Sequence, residues 1–140
     1  MPISSPTAAE LMSDPIVHDA LEQAWIDSVP SDPSQRHEEG GWIFIDITSG
    51  KIFVVRQKPG EQASIDLSSP PTIPGSVVVG KFHTHPNPSS DGWDPGPSRQ
   101  DEAIDAIHGV PDLIRADDGI HYSGPISRRG GLAGGPGFPQ

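Results

Sequence analysis

His83-Thr84-His85-Pro86 is followed in this chain by Ser98-Arg99-Gln100-Asp101 and preceded by Glu38-Glu39-Gly40-Gly41. In an extended strand, residues two apart point to the same face, so His83 and His85 can turn both rings toward one ion while Thr84 points away. Two imidazoles, a carboxylate downstream and a spare glutamate upstream are enough to hold one zinc ion and activate one water. Three protein ligands leave a fourth position for that water, and a carboxylate outside the ligand set is still needed to take its proton and pass it to a leaving amine. Hydrolysis is the chemistry these residue types can do together.

Each piece also has a structural reading. His-x-His alone is weak evidence in a chain with six His. Ser98-x-x-Asp101 resembles a helix capping box, although the usual third residue is Glu or Gln. Glu38 and Glu39 would pass for a charged loop before a hairpin. The combination favours function, because an Asp in a first helical turn can face a metal while the Ser aims its hydroxyl at an oxygen developing negative charge. The chain has no cysteine. That removes disulfides, thiol nucleophiles and Cys-bound zinc, and leaves His and carboxylate as ligands.

The elements that must position these residues follow from periodicity. Residues 1 to 12 mix Pro, Ser, Thr and Ala without a period and read as a loose leader. Asp14 caps and Pro15 opens a helix whose stripe is Ile16, Val17, Ala20, Leu21, Ala24 and Trp25, stopped near Pro30. Trp42 to Ile47 and Lys51 to Val55 form a hairpin about Thr48-Ser49-Gly50, with Ile43, Ile45 and Ile47 on one face. Ala63 to Leu67 reads as a short, weak strand. Val77 to Phe82 reads as a strand buried on both faces that delivers His83 and His85 to its C-terminal end, where Pro86 stops the ladder. Asn87 to Pro97 is a loop. Ser98 opens a helix running to His108, with Ile104 and Ile107 inward and Gly109 and Pro111 beyond its end. Asp112 to Ala116 and Ile120 to Ser123 form a last hairpin about Asp117-Asp118-Gly119. The expected domain spans 13–127, and 128–140 reads as a flexible Gly/Pro-rich tail.

Composition sets bounds. A chain of 140 residues with three Trp and four Phe can bury one modest core. A net charge of −10 with only nine Lys and Arg argues against a nucleic-acid surface. No apolar run resembles a signal or a membrane span, so a soluble cytoplasmic protein is the default expectation. Barrel amidohydrolases also carry His-x-His, but their fold needs about 250 residues. A cupin site wants a Glu soon after the second His, and Asn87 to Ser90 supplies none.

Glu-x-Gly-Gly before a strand, His-x-His-Pro after a buried one and Ser-x-x-Asp opening a helix resemble the JAMM (MPN-plus, JAB) zinc metalloproteases, which include deubiquitinating isopeptidases and their prokaryotic relatives. The resemblance spans Glu38 to about His108. It implies a single α/β domain of cytidine-deaminase-like architecture, a mixed sheet flanked by two main helices. By the resemblance His83, His85 and Asp101 would bind zinc, Glu38 would be general base and acid, and Ser98 would stabilise the oxyanion, with Glu39 as the alternative register for the base. The interval from His85 to Asp101 is longer than is usual in the family, with Asp91 to Gly96 as the extra material, and its Trp93 either lines the cleft or packs on the domain.

The substrate so implied is a protein or peptide, including ubiquitin-like proteins with a diglycine tail, bound by adding an extended Gly-rich tail to the sheet beside the His pair. A scaffold of the same fold without catalysis, or the same hydrolase used as a bacterial effector, are the rival readings. His18, His37, His108 and His121 read as structural or solvated, with His108 in a last helical turn, where a positive charge would be favourable. Gly130-Gly131 and Gly134-Gly135 echo a diglycine end, for which a loose terminus is the simpler account.

Overall fold

β1 (Gly40–Asp46) and β2 (Ile52–Arg56) form the expected hairpin, and β4 (Asp112–Ala116) and β5 (Gly119–Ser123) form the second. Between them runs β3 (Ser76–Thr84), antiparallel to β1 and parallel to β4, giving one mixed sheet in the order β2-β1-β3-β4-β5. This computed structural model describes residues 4–133 and 137–139.

Every residue of β3 is buried, as its apolar run requires of a strand covered on both faces. Opposite Ile43 and Phe44 it carries a bulge: Gly80 pairs with Ile43 and Val78 with Phe44, so Val79 is the extra residue. The bulge resets which side chains face which way. Val77, Val79 and Phe82 join one core, and Val78 joins the other. Lys81, His83 and His85 consequently line the cavity on the second side.

The first core is closed by α2 (Pro15–Asp27), which starts on Pro15 with Asp14 Oδ1 accepting from the amides of Ile16 and Val17. Its Val17, Leu21 and Ala24 pack against Ile43, Ile45, Phe82 and Leu113. Burying each such aliphatic or aromatic side chain contributes roughly 1.5–3 kcal/mol. Ile16 of the expected stripe is 53% exposed, at the helix start. On the other side, α3 (Arg99–His108) sets its only buried residue, Asp105, against Lys81 of β3 and Ser123 of β5.

Five expectations are corrected. The leader is not loose throughout. Residues Ala8–Ser13 form α1, capped by a reciprocal Thr7–Glu10 box, with Ala8 and Leu11 in the core and the Ala8 amide bonded to Ile126 O at 2.7 Å. Residues 63–67 make no strand; Ile65 and Leu67 pack on the second core instead. Ile47 lies beyond the end of β1 and is 40% exposed. Ile107 is not inward but 70% exposed, because α3 turns its polar Asp105 face to the sheet.

The tail, last, is anchored. Arg128 is buried and its Nη1 donates to Val78 O beside the bulge and to Gly137 O, while Phe138 packs on the second core. Gly134-Gly135 lies outside the described residues. Among those described, no helix is long and apolar enough to cross a membrane.

Candidate metal centre

Glu38, His83 and His85 form a buried group able to hold a metal ion, one ligand atom from each lying within 4.8 Å of the others. The rings converge through Nε2, 3.1 Å apart. Oδ2 of Asp101 stands 3.3 Å from His85 Nε2 and 3.6 Å from His83 Nε2. Glu38 makes no hydrogen bond or ion pair with either ring among the described residues.

Local sequence explains each placement. β3 carries His83 as its penultimate residue, and the His85 amide extends the pairing to Arg115 O at 2.9 Å. Thr84 turns to the opposite side, where its Oγ1 meets Ser28 Oγ at the end of α2 and accepts the Glu39 amide at 3.0 Å. Gly40 pairs with His83, and a Cβ on it would lie 2.3 Å from Phe82 O and 3.0 Å from His83 Cβ. At Gly41 a Cβ would meet Val55 O on β2 at 2.3 Å. The two glycines therefore let β1 close on both neighbours, which brings Glu38 beside the rings.

The capping box of α3 and the carboxylate's approach to the rings are one feature. Ser98 N donates to Asp101 Oδ2 at 3.0 Å, and Ser98 Oγ accepts from Asp101 N at 3.0 Å. The oxygen held by the cap is the one facing both imidazoles. The structural and functional readings of Ser-x-x-Asp thus describe the same atom.

Glu39 is committed elsewhere. Its carboxylate is 2.5 Å from His37 Nε2 and 2.8 Å from Arg56 Nη2. Glu38, not Glu39, lines the cavity with the His pair.

Three residues of the site escaped the sequence reading. Asp112 Oδ1 lies 3.1 Å from His83 Nδ1, leaving Nε2 to face the cluster. Behind it Lys81 Nζ is 2.7 Å from Asp105 Oδ1 and 3.0 Å from His108 Nδ1. A lysine inside the apolar run of β3 was the available signal, since a buried ammonium demands a buried partner. The parallel pairing of β3 with β4 that brings Asp112 alongside has no local signature.

Charge follows from this packing. Burial, with the Asp101 and Asp112 charges adding to it and both rings opposing, pushes Glu38 up to about 7. Burial would lower His83, but the Asp112, Asp101 and Glu38 carboxylates outweigh it and raise the ring well above its ordinary value. Asp101 is held far below the usual carboxylate range, the two His hydrogen bonds overcoming burial. A positive charge on His108 would suit the end of α3, but burial, then the Lys81 ammonium, lowers it to about 4, so its ring accepts from Lys81.

A cavity of about 580 Å³ opens on the cluster, and its lining includes Glu38, His83, His85, Ser98 and Asp101, the five residues singled out by spacing. Trp93 lines it too. No protein-family model, curated protein or solved structure matches this chain.

Proposed function

We propose that this chain is a zinc-dependent hydrolase of peptide or isopeptide bonds, of the JAMM kind, with His83, His85 and Asp101 as metal ligands. The observation that carries the reading is the spacing of three atoms. A tetrahedral zinc about 2.0–2.1 Å from each ligand needs roughly 3.3 Å between ligand atoms. The two His Nε2 and Asp101 Oδ2 are 3.1, 3.3 and 3.6 Å apart. The His and carboxylate donor set suits zinc, which when bound would supply Lewis acidity and make a nucleophile of water near neutral pH.

The chain's own residues do the rest. Glu38 is buried beside the ligands with its carboxyl pushed up to about 7, where it can both take a proton and return it to the leaving amine. Ser98 Oγ already accepts the Asp101 amide, so its own hydroxyl proton is the one it can give to a developing oxyanion. Asp112 keeps the proton of His83 on Nδ1. The substrate is a protein or peptide, with diglycine-tailed ubiquitin-like proteins as the class the motif resemblance favours. It does not add to the sheet at the His pair, because β3 is already paired on both sides.

Elemental mass spectrometry of protein purified without chelator tests this directly, with His85→Ala beside the parent. The reading expects about one zinc per parent chain and little in the variant. No metal in either, with both folded, would sink the hydrolase and leave a scaffold.

A further inference from the structure

The cavity that opens on the metal cluster is lined by large apolar side chains as well as polar ones. Ile65, Leu67, Ile104, Ile107 and Trp93 are among its lining residues. Ile107 and Trp93, 70% and 45% exposed, both line this one cavity and so offer apolar surface to whatever enters it. The chain itself stacks a flat ring on one of the lining residues. Phe138 stacks on cavity-lining His108 at 4.1 Å and 3° between planes, and packs against the core cluster of Leu67.

Volume points the same way. About 580 Å³ lies within the roughly 300–1,000 Å³ of pockets that hold drug-sized ligands. A Gly-Gly segment has no side chain to fill that space. The same cavity holds the groups proposed for bond cleavage, so an apolar side chain seated in it would lie near the scissile bond.

We propose that the cavity binds a large apolar, preferably aromatic, side chain of the substrate next to the scissile amide, with Ile104, Ile107 and Trp93 as specificity-determining residues. This rests on the hydrolase reading above and narrows its substrate class. Asp66 and Asp94 at the same cavity add negative charge, so the neighbouring residues of the substrate are neutral or basic rather than acidic.

The test uses two blocked neutral peptides identical except for one Phe or Gly, offered to the full zinc-loaded chain. Cleavage is followed by liquid chromatography and mass spectrometry, and binding by calorimetry on zinc-loaded Glu38→Gln. The Phe peptide is expected to win by about tenfold or more in both kcat/KM and Kd. Ile107→Ser combined with Trp93→Ala, both at exposed positions, should bring the two peptides near parity with zinc content unchanged. Equal handling of the peptides by the parent, or a preference that survives the double substitution, overturns the pocket while leaving hydrolysis intact. Selective binding of the Phe peptide without cleavage by the parent supports the pocket and removes the hydrolase. Neither binding nor cleavage of either peptide overturns both.

Discussion

Asp112 Oδ1 stands 3.1 Å from Nδ1 of His83, and the two residues belong to neighbouring parallel strands. Strand pairing sets this contact, so a rigid element holds the tautomer of a proposed metal ligand. Outer carboxylates of this kind typically contribute about 10–100-fold to metal affinity. Asp112→Asn should therefore weaken zinc binding by about that factor while circular dichroism stays that of the parent. Competition against a chromophoric chelator at pH 7 reads the change. Affinity equal to the parent's would mean that Asp112 serves the fold alone.

Glu38→Gln separates binding from turnover. Gln has almost the same shape but cannot carry the proton, so zinc content should hold and cleavage should fall by roughly 10²–10⁴-fold. The pH profile has a defined sign. Glu38 works as a base only when ionised, and burial pushes its carboxyl up to about 7. Activity should drop as pH falls through that region, and the charge of a bound dication moves the acid limb lower still. A rate that rises on acidification would exclude Glu38 as base.

Gly40→Ala tests why glycine follows the acid. The added Cβ would sit 2.3 Å from the Phe82 carbonyl, backbone that cannot swing away. Such overpacking typically costs about 1–3 kcal/mol. Urea unfolding should show that loss, and the displaced β1 should cut turnover of the folded fraction by moving Glu38. Unchanged stability and turnover would show that the strands accommodate the methyl.

All five strands, and the meeting of Glu38, His83, His85, Ser98 and Asp101 in one cavity, were legible from local signals: alternating isoleucines in β1, the apolar run Val77–Val79 in β3, a Ser N-cap at α3, and turn triplets between β1 and β2 and between β4 and β5. What stayed hidden depends on distant partners. α1 has a Thr7-x-x-Glu10 capping box in plain view, but six residues are too few to show a period, and its helicity rests on burying Ala8 and Leu11. Arg128 falls in a segment whose Gly/Pro content predicts a flexible tail, yet it meets Val78 O beside a bulge that no sequence pattern announces. Ile107 stands at helical spacing from Ile104, which predicts an inward side chain. The buried side of α3 is polar instead, because Lys81 faces it and needs Asp105.

Asp105 gives the last prediction. It is fully buried, Ser123 Oγ donates to it, and burial followed by the Asp112 charge raises its carboxyl to about 7 against the pull of Lys81. Its ordinary value is 3.8. Between those values the folded chain keeps a proton that the unfolded chain has lost, so stability falls as pH rises across the interval. The contribution is complete below about 3.8 and gone above about 7. One group can impose at most about 1.4 kcal/mol per pH unit. Asp105→Asn keeps an oxygen for the Lys81 ammonium but cannot titrate. Urea midpoints measured with chelator at several pH values from 4 to 8 should show the parent losing stability relative to this variant as pH rises. A constant difference across the range would place the Asp105 proton elsewhere in the Lys81–Asp105–Asp112 cluster.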